Sequence, residues 1–275
     1  MRIVSTIFLA LSLIVPTIAT AQTELLEQVS SQYKDVYPGL VSYRVKVKTN
    51  KLAEILDRMT ASIPKDVPRP EKPDLMKFWN RKYGTVIRSM TVTSATYQQQ
   101  MIDRFSKRFA IDLGTLFLPA EKTEERKQLL AKASIKSATS EIAGERIQQF
   151  ELTFKEPTNL GGAFYGTALE LPQRAIKRLT IDIDTKRLTL VHLGIESEES
   201  SPLSIEVRHI EAGEDFLPSE VLITSPDGSI DERFVTTFKT IEGYLLPVKQ
   251  ERFFQHPGSD ESLTAEFSDY ELKLE

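Results

Sequence analysis

The residues that could do chemistry are few, and their spacing limits what they can do. His192, His209 and His256 are the three histidines, and no two stand at the helical or HxxxH separation that would hold a metal ion. They read as isolated structural or surface residues. The chain has no cysteine, which excludes a thiol nucleophile, a thiolate metal or iron–sulfur site, a disulfide scaffold and acylation of an N-terminal cysteine. Ser31-Gln32-Tyr33-Lys34 matches the S-x-x-K pattern of an acyl-enzyme serine. Its would-be companions, Lys239-Thr240 and Ser268-Asp269, come in the wrong order, with Ile241 and Tyr270 replacing required residues.

Carboxylates add little. Asp227-Gly228-Ser229-Ile230-Asp231-Glu232 resembles a clipped calcium loop, but Phe238 stands where the bidentate glutamate is needed, and a hairpin turn accounts for Pro226-Asp227-Gly228. Asp182 and Asp184 alternate along one strand face and read as solvated charges beside a turn. No phosphate-cradling glycine loop and no G-x-S-x-G elbow occurs. The reading is therefore of a non-enzyme with no catalytic residue, no metal site and no cofactor.

The chain does offer apolar density on alternating positions. In LVSYRVKVKT, residues 40–49, Tyr43, Val45 and Val47 share one face while Ser42, Arg44, Lys46 and Lys48 share the other, which predicts a half-buried strand with a basic outer face. Strand-like segments KFWN and TVIRSMTVT surround Tyr83-Gly84. From Ser134 onward the pattern is strand, turn, strand. Strands are expected over 135–142, 146–154, 178–184, 187–196, 203–210, 220–224, 232–240, 244–254 and 262–274, with turns at Ala143-Gly144-Glu145, Glu242-Gly243 and Pro257-Gly258. Helical spacing predicts helices over 23–37, 51–63 and 122–133. A further one follows Thr96, with Met101, Ile102, Phe105 and Phe109 in phase.

These elements predict an α+β protein: a curved antiparallel sheet, an incomplete β-barrel, with helices covering the concave face. Pro64, Pro68, Pro70 and Pro73 stiffen a long loop inside one domain spanning 22–275, with a helical, proline-rich insertion around 51–130. The face that could line an apolar pocket for a ligand comprises Tyr43, Val45, Val47, Phe78, Trp79, Ile181, Ile183, Val207 and Phe234. An ordinary packed core is the competing reading for the same residues.

Charge and the N-terminus bound the setting. With 35 Lys+Arg against 39 Asp+Glu, net −4, the chain lacks the basic excess of a nucleic-acid binder. Arg2, the apolar run from Ile7 to Val15, Pro16 and Ala19-Thr20-Ala21 form a secretory signal cleaved after Ala21, and the run falls short of the ~20 residues of a membrane span. Export to the periplasm follows, with contact to membranes peripheral at most.

The amphipathic first helix, LVSYRVKVK, the hairpin IAGERIQQFELTF, the strand–turn–strand RLTIDIDTKRLTLVHLGI and the terminal GYLLPVKQERFF and LTAEFSDYELKLE resemble the outer-membrane lipoprotein-sorting (LolA/LolB-like) superfamily. The likeness covers 134–275 and 25–48. It implies an unclosed barrel lidded by helices that binds acyl chains or lipoproteins. Carriers of that family hold the lid with an arginine near the first strands. Arg44 lies in the corresponding stretch, but its phase puts it on the polar face and the role is not carried over. Two functions remain: a carrier or binder of acyl chains or lipoproteins, and a module that binds envelope proteins through the same fold without lipid.

Overall fold

The computed structural model describes residues 15–34, 37–51, 54, 61, 74–90, 116–142, 144–213, 215–256 and 259–275. In chain order the elements are α1 (Val15–Lys34), β1 (Leu40–Thr49), β2 (Leu75–Asn80), β3 (Gly84–Ser89), α2 (Thr123–Lys132), β4 (Ala133–Ile142), β5 (Glu145–Thr158) and β6 (Ile176–Asp184). They continue with β7 (Thr189–Ser197), β8 (Leu203–Ala212), β9 (Asp215–Thr224), β10 (Asp231–Ile241), β11 (Tyr244–His256) and β12 (Ser259–Leu274). The fold is α+β, and strand pairing is antiparallel with an open order, as alternation and short turns predicted. The helix expected at 23–37 begins earlier and ends at Lys34, before Pro38-Gly39 turns the chain into β1. The helix expected after Thr96 and most of that at 51–63 lie outside the described residues.

Two compact units divide the chain. The first takes Met1–Asp35, Phe117–Thr167 and Pro172–Pro202. Its strands run in the order β7-β6-β5-β4. Phe150, Ile181 and Leu193 are directly opposed across β5, β6 and β7, as are Leu152, Leu179 and Ile195 in the next same-face row, and all are buried. Each such side chain withdrawn from water contributes about 1.5–3 kcal/mol. α1 packs against this unit's β7, where the buried Tyr33 hydroxyl accepts the Leu190 N–H at 2.9 Å, and Leu26 and Val29 of α1 are buried as well.

The second unit takes Val36–Leu116, Ala168–Leu171 and Leu203–Glu275. Its order is β3-β2-β1-β12-β11-β10-β9-β8, so β1 sits between β2 and the C-terminal strand. Its core gathers Tyr37, Leu40, Tyr43, Val45, Val47, Leu75, Trp79, Ile87, Leu246, Leu263, Ala265 and Phe267. Ile241 pairs with Tyr244, so Glu242 and Gly243 form a two-residue hairpin with both φ positive, 51° and 87°, the primed turn that fits strand twist. Gly39 is required where β1 begins: its φ is +81°, and a Cβ there would stand 3.1 Å from the Tyr244 hydroxyl.

Candidate functional site

Register places most of the anticipated pocket residues on one face of the second unit. Tyr43 is opposite Trp79, and Val45 is opposite Lys77. Val47 is opposite Leu75 on one side and Phe267 on the other. Further along the same sheet Phe234 pairs with Val221, which pairs with Val207. Val45 is completely buried, and Tyr43, Val47, Trp79, Val207 and Phe234 are buried as well. The Tyr43 and Trp79 rings stack with centroids 5.4 Å apart, and Tyr37 meets Trp79 edge-on at 5.5 Å. Ile181 and Ile183, fully buried, belong to the apolar face of the first unit.

Phe78 departs from its neighbour. Strand alternation turns it away from Trp79, opposite Arg44 on β1 and Val86 on β3. Together with Ser42, Arg44, Asn80, Glu271 and Lys273 it lines an open cleft of about 390 Å³ across β2, β1 and β12. Arg44 is half exposed there and ion-paired to Glu271, in keeping with its polar-face phase.

The core face of the second unit is not wholly apolar. Arg252, 5% exposed, pairs with Phe234 and Leu263, so it shares their face. Its Nε and Nη2 both donate to one oxygen of Glu232, at 3.0 and 2.6 Å, and its guanidinium lies 4.7 Å over the Phe254 ring. Lys77, also buried, places its ammonium 5.0 Å from the Phe267 ring centroid. Nothing in the local sequence announced these cations: cross-strand register, Lys77 opposite Val45 and Arg252 opposite Phe234, is what puts them on this face.

The first unit holds a polar cluster that sequence reasoning missed. Arg126 on α2 is fully buried. Nε and Nη2 reach the two Glu27 oxygens on α1, each at 2.9 Å, and Nη1 donates to the Pro119 and Ala163 carbonyls at 3.1 and 2.8 Å. Nη2 also meets Ser30 at 3.1 Å, and Ser30 in turn donates to the Leu118 carbonyl at 2.7 Å. Burial pushes the Glu27 carboxyl up, but hydrogen bonds from Arg126 and Thr123 and the charge of Arg126 overcome it and hold the carboxyl below the usual carboxylate range. Fork-to-fork pairing of this kind fixes α1 against α2.

Two sequence readings change in detail. Asp184 is not solvated: it is buried, and one of its oxygens accepts the Lys186 and Arg187 backbone N–H groups at 2.8 and 3.2 Å. Asp182 accepts from Gln149 at 2.9 Å and lies 3.2 Å from His192 Nδ1, forming a cross-strand row of Gln149, Asp182 and His192. Pro226-Asp227-Gly228 is a turn, where Asp227 Oδ1 accepts from Ser229 N at 3.0 Å. Among the described residues no group of three or more His, Asp or Glu side chains is placed to hold a metal ion, and no helix is long and apolar enough to cross a membrane.

No family model and no curated protein matches the chain. Solved structures similar to it include a DUF1329 family protein from Desulfovibrio piger, 8% identical, covering 92% of both chains with a TM-score of 0.34. An outer membrane lipoprotein-sorting protein domain from Vibrio parahaemolyticus is 9% identical, covering 90% of this chain and 92% of that one, with a TM-score of 0.29. A LolA superfamily protein from Nitrosomonas europaea is 8% identical, covering 90% and 93%, with a TM-score of 0.26.

Proposed function

We propose that this chain is an exported periplasmic protein that binds acyl chains or lipoproteins without catalysing a reaction. The observation that carries the reading is the apolar face of the second unit over β2, β1 and β12, with the Tyr43–Trp79 stack at one end and Phe267, Ala265 and Leu263 towards the other. A ten-methylene chain laid on such a face gains roughly 8 kcal/mol before ordering costs, enough for reversible binding. Cleavage after Ala21 leaves Gln22–Lys34 of α1, which contains Leu26, Glu27, Val29, Ser30 and Tyr33, its contacts to the first unit.

The second reading, an envelope-protein interaction module, draws on the complete burial of Val45, Ile181 and Ile183, which suits solid core. Native mass spectrometry of protein purified from an envelope fraction tests both, joined to a fluorescent fatty-acid assay on wild type and Val45→Glu with a thermal melt of each. Co-purifying lipid and a selective loss of binding in a folded variant support the acyl reading. Wild-type protein that takes up no acylated ligand leaves the interaction module.

A further inference from the structure

Among the described residues four large hydrophobic side chains are exposed: Tyr83, Val86, Met90 and Leu274. Exposed apolar residues scattered singly need no account, but these are gathered at one border of the second unit. Tyr83, 78% exposed, stands in the β2–β3 turn, and Val86 lies on β3. Met90 follows β3, and its N–H donates to the Asp74 carbonyl, which extends the ladder by one residue. β3 pairs with β2 alone and is the edge of the sheet. Period two puts Val86, Arg88 and Met90 on one side of this edge and the buried Ile87 on the other. Leu274 joins them at the turn, because Arg81 pairs with Glu275, the next residue after Leu274.

The exposed charge left unmatched here is positive. Residues 75–90 contain Lys77, Arg81, Lys82 and Arg88 and no carboxylate, in a chain whose net charge is −4. Lys77 is buried opposite Val45, and Arg81 is offset by Glu275. Asp74, just before β2, acts on Lys46. Lys82, Arg88 and Lys273 are exposed and enter no ion pair among the described residues. The carboxylates flanking Lys273, Glu271 and Glu275, are matched by Arg44 and Arg81. At the turn the Lys82 ammonium lies 5.3 Å from the Tyr83 ring centroid, so cation and ring are presented together.

Apolar tips beside unmatched cations suit the boundary layer of an anionic bilayer. There tyrosine and aliphatic side chains leave water while ammonium and guanidinium groups stay among phosphates. The tips are spread along roughly 20–25 Å of strand rather than gathered into one anchor, which fits a planar layer better than a protein hot spot. We propose that the β2–β3 hairpin and the end of β12 dock this protein on anionic lipid headgroups. The docking is interfacial: the outer backbone groups of β3 stay in the hydrated headgroup layer, where an open strand edge still meets water. It uses exposed residues only and does not depend on the acyl-binding reading.

The test sediments the exported chain, beginning at Gln22, with vesicles of phosphatidylcholine alone or mixed with phosphatidylglycerol. At low ionic strength the anionic vesicles should bind at least roughly tenfold tighter, since each cation at such a surface contributes about fivefold, and high salt should erase the difference. Lys82→Glu should weaken anionic binding about twentyfold and Tyr83→Ser about tenfold. Both positions are exposed, so the variants should melt as wild type does. Tyr83→Trp should be quenched by brominated lipid beyond the level of wild type, whose single tryptophan, Trp79, is buried. That signal separates insertion of this tip from uptake of an acyl chain elsewhere. Equal binding to both vesicles, unchanged binding in Lys82→Glu and Tyr83→Ser, or no added quenching overturns the docking surface, whatever a fatty-acid assay finds. Soluble polyglutamate that displaces the protein as well as phosphatidylglycerol does, at equal charge, makes this border a site for acidic proteins and overturns it too.

Discussion

Replacing Arg126 by methionine should destabilise the first unit by about 3–5 kcal/mol, the range for removing one partner from a buried ion pair. The structure says why the cost sits there and not at the ~0–1 kcal/mol of a surface pair. Arg126 is fully buried and its side chain donates to Glu27, Ser30, Thr123 and the Pro119 and Ala163 carbonyls. Methionine fills a similar volume but donates nothing, so a carboxylate and two carbonyls lose their donor at once, each unanswered buried acceptor costing about 1–3 kcal/mol. Some of that is recovered because the Glu27 side chain is 23% exposed and can turn to water. Urea unfolding followed by far-ultraviolet circular dichroism measures the loss; with a slope of about 2 kcal/mol/M the midpoint should fall by about 2 M. Amide hydrogen exchange localises it: α1 amides from Leu26 to Tyr33 should lose protection first. Glu27→Gln, which keeps an acceptor, should cost less, and the double variant should show strong coupling. A methionine variant within ~1 kcal/mol of wild type, with α1 protection intact, would refute the reasoning that this cluster fixes the helix.

The Glu27 carboxyl sits below its ordinary value of 4.5, so its contribution is complete above about that pH and is lost as pH falls through the lower folded value; acid titration of stability should show a step there that Glu27→Gln abolishes. Burial holds the Tyr33 hydroxyl far above the ordinary tyrosine range, so its contribution is present below about pH 10 and lost only in strong alkali; Tyr165 and Tyr270 are raised in the same way, so ultraviolet titration should find at least three phenols that resist ionisation, one fewer in Tyr33→Phe, which should cost about 1–3 kcal/mol by stranding the Leu190 N–H. Gly39→Ala should cost about 1–2 kcal/mol in a thermal melt, since it forces a positive φ on alanine and crowds Tyr244. N-terminal sequencing of exported protein should begin at Gln22.

Strands were legible wherever burial is one-sided. β5, β6 and β7 each alternate large apolar with polar side chains, and their limits fall within a few residues of the pattern. The same alternation distinguishes Phe78 from Trp79, yet adjacency and aromatic character grouped them; period two sends them to opposite faces. Arg126 was illegible for a different reason. TEERKQLLAK reads as a solvated helix rich in charge, and its arginine becomes buried only because Glu27 and Ala163 arrive from 99 and 37 residues away. Arg252 and Lys77 share that difficulty: a cation in a strand is assigned outward until pairing shows its face. Asp184 looked like a solvated turn residue because turn backbones that recruit a carboxylate and turns that merely expose one have the same composition.

The position of β1 between β2 and β12 has a consequence for the order in which this chain can become structured. Asn50, just after β1, bonds to the Ser262 carbonyl and the Thr264 N–H, 212 and 214 residues further along the chain. A ribosome adding 5–20 residues per second needs roughly 10–40 s to cover that span. Throughout that interval one flank of β1 has no mate, and LVSYRVKVKT is a β-branched segment well suited to pairing with the wrong strand. Its three basic residues, Arg44, Lys46 and Lys48, act meanwhile as gatekeepers through mutual repulsion. Those on β1 find Glu271, Asp269 and Glu266 opposite or beside them only once β12 arrives, so the charge that delays premature association also selects the correct mate.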